Sequence, residues 1–183
     1  MSELTREKVD QAIKILEEQE IDLWLTFVRE SSANCDPVMP LIYGEGDLTW
    51  QSALILTRTG ERIAIVGRFD AETARSIGAY ETVIGYDESL RLELLPILEL
   101  LDPGRMALNY SEDDVLADGL SHGLYQVLMG YLDGTPFAGR IVSAEGVIRA
   151  LRGRKTPGEV SRIRAAVGGC CSCRQATTGS CRR

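Results

Sequence analysis

Short runs of apolar and β-branched residues alternate with longer segments of helical periodicity along much of this chain. The runs at 82–86, 106–110 and 141–144 have the length and composition of strands, and the segments at 70–77, 88–101 and 115–131 those of helices. A strand, a helix and a second strand in that order form a parallel pair with a right-handed crossover, which places helices on the faces of a sheet. This alternation predicts an α/β fold.

The first third of the chain adds antiparallel pairing to this sheet. Residues 5–18 repeat apolar side chains at helical spacing, and residues 23–28 form a short apolar run typical of a strand. Residues 52–57 and 62–67 flank a short turn in which Gly60 takes the left-handed position, and therefore form a hairpin. The sequence predicts a single α/β domain with a central mixed β-sheet flanked by helices.

Length and composition limit what else the chain contains. With 183 residues, 44% of them hydrophobic, it has enough apolar material for one sizeable core but no room for a second full domain. The charged start and the lack of a run of about 18 uncharged apolar residues predict a cytoplasmic protein with no membrane partner.

Charge is distributed unevenly along the chain. Residues 1–148 carry 11 Lys and Arg against 26 Asp and Glu, whereas residues 149–183 carry nine basic residues against Glu159 alone. The basic end leaves phosphate or an acidic membrane surface open as a partner, but a solvated linker followed by an out-of-frame tail is the preferred explanation. The acidic main body argues against a nucleic-acid partner.

A specific helix start lies near residue 156. Thr156 can cap the helix, Pro157 suits its first position, and Glu159 lies where its carboxylate reaches back to the cap. Val160, Ile163 and Val167 then fall on one helix face, which needs a surface to pack against.

The run from residue 148 to residue 167 resembles the linker of the creatinase, prolidase and Xaa-Pro aminopeptidase family. In that family, a K-T-P-x-E motif, here Lys155, Thr156, Pro157 and Glu159, joins an N-terminal α/β domain to a C-terminal pita-bread metallopeptidase domain. The resemblance implies a creatinase N-terminal-like domain at 1–151 and, at 152–167, a linker with the first helix of a missing catalytic domain.

Residues 168–183 form a tail of different composition. It is rich in Gly, Ser, Thr and Arg and contains Cys170, Cys171, Cys173 and Cys181. A C-x-x-C pair is typical of zinc sites, but the tail has almost no apolar residue to fold around and no histidine nearby. Its composition predicts a disordered or out-of-frame segment, with a zinc-binding element as the weaker alternative.

The resemblance also implies a function. The chain would be a non-catalytic accessory domain that assists oligomerisation, as in a homodimer, and caps an active site. The parent enzyme would bind two divalent metal ions (Mn, Co or Zn) through two Asp, one His and two Glu in its catalytic domain, and would cleave Xaa-Pro bonds or act like creatinase. None of these metal or catalytic motifs is matched here, so we expect no cofactor in this chain and no activity from it alone. A stand-alone dimerisation or peptide-binding module is the alternative.

The long loop at 29–49 and the residue after it supply the candidate contact residues. Arg29, Tyr43 and Trp50 are of the types that anchor interfaces, and the resemblance assigns them to partner or substrate-cap contacts. The alternative places Tyr43 and Trp50 in the core. His122, the only histidine, has no metal-binding neighbour and is interpreted as a packed or surface residue.

Overall fold

A computed structural model describes the backbone of residues 2–177 and the side chains of residues 3–167. The elements in chain order are α1 (Ser2–Glu18), β1 (Leu23–Val28), α2 (Met39–Ile42), β2 (Ser52–Thr57), β3 (Arg62–Gly67), α3 (Ala71–Ile77), β4 (Thr82–Tyr86), α4 (Leu90–Leu101), β5 (Met106–Leu108), α5 (His122–Leu132), β6 (Ile141–Ser143), α6 (Glu145–Gly153) and α7 (Pro157–Thr177). Short 3-10 helices cover Arg68–Asp70 and Pro136–Arg140.

The strands form one mixed sheet in the order β4-β3-β2-β1-β5-β6. Strand β2 runs antiparallel to β1 and to β3, and the predicted hairpin is present, with Ala53 opposite Ile65. The pairs β1–β5, β3–β4 and β5–β6 are parallel. The predicted central mixed sheet is therefore confirmed.

Each face of the sheet carries its own apolar core. Side chains alternate between the faces along a strand, so Trp24 and Leu54 pack against α1, α2, α3 and α6, whereas Leu25 and Ile55 pack against α4 and α5. Fully burying a large apolar side chain stabilises a fold by about 1.5–3 kcal/mol. The result is a three-layer arrangement of helices, sheet and helices, as the sequence predicted.

The prediction of a helix at 115–131 is wrong for residues 115–121, because α5 begins only at His122. The hydroxyl of Ser111 accepts the N–H of Asp114 at 2.8 Å, and the Asp114 carboxylate accepts the N–H two residues further on at 3.0 Å. These local hydrogen bonds stabilise turns. The side chains of Ser111 and Asp114 accept backbone N–H groups that would otherwise bond to carbonyls within a helix. Ser121 then caps α5.

Other differences are smaller. The loop predicted at 29–49 contains the short helix α2, and α6 was not predicted as a separate helix. Pro96 lies inside α4 without interrupting it. Proline has no N–H to donate to the helix carbonyl four residues earlier. Because Pro96 is exposed, that carbonyl lies near solvent.

The last helix continues beyond Val167, where the sequence predicted the end of regular structure, to Thr177. The side chains of Cys170, Cys171 and Cys173 and the whole of Cys181 lie outside the described residues. The zinc alternative and the out-of-frame origin of the tail therefore remain predictions. Among the residues described, no helix has the length and apolar character needed to cross a membrane.

A buried polar network lies between two loops at the carboxyl end of β5. The Trp24 indole donates to the side-chain oxygen of Asn109 at 2.6 Å, and the Asn109 amide donates to Asp36 at 2.7 Å. The other Asp36 oxygen accepts the N–H of Val38 at 2.9 Å. Burial raises the pKa of Asp36, although its hydrogen bonds act in the opposite direction. Gly119 packs against this carboxylate, so that a β-carbon added there would lie 2.1 Å from it.

Candidate functional site

Apart from Tyr43, the residues assigned by the family resemblance fall into two separate regions of the structure. The linker motif lies at the start of α7, where it contacts α1. Arg29 and Trp50 line a cleft at the carboxyl ends of β1 and β4. Tyr43 belongs to neither region.

The start of α7 has the predicted capping arrangement. The N–H of Thr156 donates to the Glu159 carboxylate at 2.8 Å, and the N–H of Glu159 donates to the Thr156 hydroxyl at 3.2 Å. Pro157 occupies the first helical position. Two backbone donors that the helix itself leaves without partners are thereby satisfied.

The capping carboxylate has a second partner that sequence reasoning missed. Lys8 of α1 is 1% exposed, and its ammonium lies 2.8 Å from the Glu159 carboxylate. The same ammonium donates to the carbonyls of Leu151 at 2.8 Å and Arg154 at 2.9 Å, which close α6, and to Gln11 at 3.1 Å. A buried lysine thus connects α1, the end of α6 and the start of α7.

The charge of Glu159 is stabilised at this junction. Burial opposes the ionised carboxylate, but the hydrogen bonds from Lys8 and the Thr156 N–H outweigh it, so the pKa of Glu159 lies below its usual value. Two further contacts hold the junction: Glu7 accepts the N–H of Gly158 at 3.1 Å, and Arg154 pairs with Glu18 at 2.6 Å. The direction in which the chain leaves the domain is therefore fixed by α1.

A sequence signal for Lys8 does exist. Thr5, Lys8, Ala12 and Ile15 are all buried and follow one another at helical spacing on α1. A charged residue on an otherwise buried helix face requires a partner, because an unpaired buried charge is costly. The sequence does not reveal that this partner is Glu159, which lies 151 positions away.

The second region is a cleft of about 470 Å³ at the carboxyl ends of β1 and β4. Trp50 is 37% exposed and makes an edge-on contact with Phe69, whose ring centroid is 6.0 Å away and which is 73% exposed. On its other side Trp50 packs against Tyr86 at 5.7 Å. Arg29 is exposed, and no ion-pair partner for it occurs among the described residues.

The floor of this cleft is held by Gln51. The Tyr86 hydroxyl donates to the Gln51 carbonyl at 2.8 Å, and the Tyr131 hydroxyl donates to its side-chain oxygen at 2.5 Å. Burial, with the nearby Tyr131 hydroxyl, raises the pKa of Tyr86 to about 12. The Tyr86 hydroxyl therefore stays protonated at physiological pH, and the cleft offers aromatic surface beside the exposed guanidinium of Arg29.

Tyr43 is a core residue, contrary to its assignment as a contact residue. It is 1% exposed and packs against Tyr80, with 6.2 Å between the ring centroids. Burial raises the pKa of its hydroxyl above the usual value. The alternative that placed this aromatic in the core describes it correctly, and only Arg29 and Trp50 remain as candidates.

The described residues contain no group of three or more His, Cys, Asp and Glu side chains placed to hold a metal ion. His122 is exposed on the first turn of α5, where its ring nitrogen lies 3.5 Å from the Gln126 amide. Near Ser111, Asp114 takes part in turns and pairs with Arg149 at 3.8 Å.

No protein-family model and no curated protein matches the sequence. The similarity to known proteins is therefore found among solved structures only. An Xaa-Pro dipeptidase from Bacillus anthracis superposes with a TM-score of 0.59 at 14% identity, covering 86% of this chain and 38% of its own. An X-Pro aminopeptidase from Thermotoga maritima gives 0.61 at 17% identity, with coverage of 85% and 38%.

A third structure, the N-terminal domain of an Xaa-Pro dipeptidase from Lactobacillus brevis, gives a TM-score of 0.52 at 13% identity and covers 78% of this chain and 98% of its own. This chain therefore spans well under half of the two longer structures and nearly all of the isolated domain. The fold of this chain is the α/β fold of the N-terminal domain of Xaa-Pro peptidases.

Proposed function

We propose that this chain acts as a non-catalytic accessory domain of an Xaa-Pro peptidase-like or creatinase-like metallohydrolase. The observation that carries the proposal is the coverage pattern: the fold corresponds to 98% of an isolated N-terminal peptidase domain but to 38% of two longer peptidase chains. In this proposal the reaction takes place in a second, catalytic domain, whose first helix is the part of α7 up to Val167.

The junction at α7 supports a role in orienting that domain. Lys8 and Glu7 bind the first turn of α7, so the helix leaves the domain in one direction. Beyond this turn, Ile163 and Val167 are 50% and 58% exposed. An apolar helix face of this kind is suited to packing against a following domain.

The Arg29 cleft supports a role in capping. An exposed guanidinium binds carboxylates through paired hydrogen bonds, and an exposed indole gives apolar contact area at small entropic cost. We assign Arg29 and Trp50 to contacts with substrate or with the catalytic domain of a neighbouring subunit in a homodimer. The two divalent metal ions of the parent enzyme would be held by residues of the catalytic domain.

Reading the encoding DNA past the Val167 codon in all three frames tests the proposal. We expect an open frame with two Asp, one His and two Glu in metallopeptidase motifs; stops in every frame would overturn the assignment. The full-length protein would consist of residues 1–167 followed by the sequence encoded in this open frame. In that protein, Arg29→Ala and Trp50→Ala should each lower kcat/KM for an Xaa-Pro substrate about tenfold, as loss of a charged or aromatic contact does.

Matched controls lie elsewhere on the surface. Arg75→Ala and Leu100→Ala remove an exposed arginine and an exposed large apolar residue that do not line the cleft, and should leave kcat/KM unchanged. An equal loss in controls and cleft variants would contradict the capping role. Manganese-dependent hydrolysis of an Xaa-Pro dipeptide by the present chain alone would contradict the accessory role itself.

One observation favours a second candidate function, a stand-alone dimerisation or peptide-binding module. Phe69 and Trp50 form a solvent-exposed aromatic pair, with the Arg68 guanidinium 5.2 Å from the Phe69 ring. Such pairs are typical interface anchors.

This second function predicts dimerisation of the present chain through the aromatic pair. Sedimentation equilibrium should show a concentration-dependent dimer that Phe69→Glu abolishes, because a charge would then be buried at the interface. Ile163→Glu, a comparable change on the exposed face of α7, should not affect it. Loss of the dimer in the Ile163 variant alone would point to the α7 face instead.

A further inference from the structure

A second groove lies beyond the carboxyl end of β5, and it shares no lining residue with the Arg29 cleft. Its volume is about 550 Å³, within the range of ligand sites. It is lined by the loop after β5, the first turns of α5, Asn34 and Ile141. The accessory role proposed above makes no use of this groove.

The chemistry of the lining is specific. Tyr110 and Tyr125 supply aromatic surface, Leu120 and Ile141 supply apolar surface, and Asp118 supplies an exposed carboxylate. The Asp118 carboxylate accepts one backbone N–H at 3.4 Å and has no ion-pair partner among the described residues. Aromatic faces beside a carboxylate bind a cation with an apolar stem, and a guanidinium best of all.

The rest of the loop extends this surface. Val115 and Leu116 are 80% and 46% exposed, which is unusual for adjacent apolar residues in a loop. Glu112 and Asp113 are exposed and take part in no ion pair among the residues described. Apolar area with negative charge around it is complementary to a segment that combines apolar and basic residues.

The loop is also held in place, so the groove exists before a ligand binds. The N–H of Leu120 donates to the Asn109 carbonyl at 2.8 Å, and Ala117 is buried. Gly119 rests against the buried Asp36 carboxylate. A rigid site loses less entropy on binding than a mobile loop does.

We propose that this groove binds an arginine-bearing peptide segment of a partner protein, with the guanidinium between the tyrosines against Asp118. The residues flanking the arginine lie over Val115 and Leu116. A small free amine would leave the apolar side chains of Val115 and Leu116 exposed. A peptide covers them, and for this reason we assign a peptide ligand.

The test is a fluorescence-anisotropy titration of the full chain with the labelled peptide acetyl-Gly-Leu-Arg-Leu-Gly-amide. We expect saturable binding, and no binding of the same peptide with Glu in place of Arg. Asp118→Asn and Tyr110→Ala should each weaken binding about tenfold, as expected for loss of a charge-assisted or cation–π contact. Asp133→Asn, which neutralises an exposed acid at the other end of α5, should have no effect.

Amide shifts in the NMR spectrum locate the peptide. Peptide-induced shifts should cluster at residues 110–122 and at Tyr125. The proposal is overturned by equal binding of the Glu peptide, by unchanged affinity in Asp118→Asn, or by shifts centred on Trp50. Argininamide binding as tightly as the peptide would overturn the peptide assignment, and self-association through this loop without peptide binding would replace it with a second copy.

Discussion

Lys8→Met should lower the free energy of unfolding by about 3–5 kcal/mol, the cost of removing one partner from a buried ion pair. Methionine fills nearly the same space, so the loss is electrostatic. The carbonyls of Leu151 and Arg154 lose the Lys8 ammonium as hydrogen-bond donor. The partly buried Glu159 carboxylate loses its cationic partner. Urea unfolding followed by circular dichroism measures the effect.

Lys14→Met provides the control for this variant. Lys14 lies on the same helix but is exposed, so its replacement should change stability by less than about 0.5 kcal/mol. Equal and small losses in both variants would show that the Lys8 contacts are not energetically significant.

The pH dependence gives the same prediction a second readout. The pKa of Glu159 is lowered on folding, so its ion pair contributes stability above the carboxyl pKa of the unfolded chain, about 4.3, and that stability is lost as pH falls through the lower folded value. The wild-type chain should therefore lose stability more steeply in acid than Glu159→Gln. Identical acid limbs for the two proteins would contradict the role assigned to Glu159.

Gly119→Ala should destabilise the protein by about 2–4 kcal/mol, from overpacking and from the loss of a charge-assisted hydrogen bond. The new methyl group would lie 2.1 Å from the Asp36 carboxylate, which is 2% exposed and held by Asn109 and Val38. Either the carboxylate loses these partners or the loop moves away from it. Urea unfolding reports the loss, and the emission of the buried Trp24, bonded to Asn109, reports the disturbed network.

Gly130→Ala is the matched control for this glycine. Gly130 lies within α5, and outside its chain neighbours and the local helix backbone no atom of the described residues occurs within 4 Å of the β-carbon it would gain. Alanine there should leave stability unchanged or raise it by up to about 1 kcal/mol, since alanine favours helix. A loss in Gly130→Ala as large as in Gly119→Ala would mean that the Asp36 contact is not the cause.

The elements that the sequence predicted well depend on local signals. The hairpin of β2 and β3 follows from two apolar runs around Gly60, and the start of α7 follows from Thr156, Pro157 and Glu159. In each case the residues that make the decisive hydrogen bonds lie within a few positions of one another. Such contacts form in the same way wherever the segment is placed.

The predictions that failed depend on competition or on distant partners. The apolar periodicity predicted that the helix begins at residue 115. Instead, the hydroxyl of Ser111 and the carboxylate of Asp114 accept hydrogen bonds from nearby backbone N–H groups and form turns. Tyr43 was assigned to a surface because it lies in a long loop, yet its ring packs on Tyr80 in the core. Neither result is visible in the residue types alone.

The sequence by itself determined the strands, most of the helices, the mixed sheet and the capping of α7, because periodicity and local hydrogen bonding act over a few residues. Tertiary structure alone decided that Lys8 binds Glu159, that Gly119 must remain small beside Asp36, and that Arg29 and Trp50 share a cleft. These contacts join positions far apart in the chain, and they exist only after the helices have packed on the sheet and on one another.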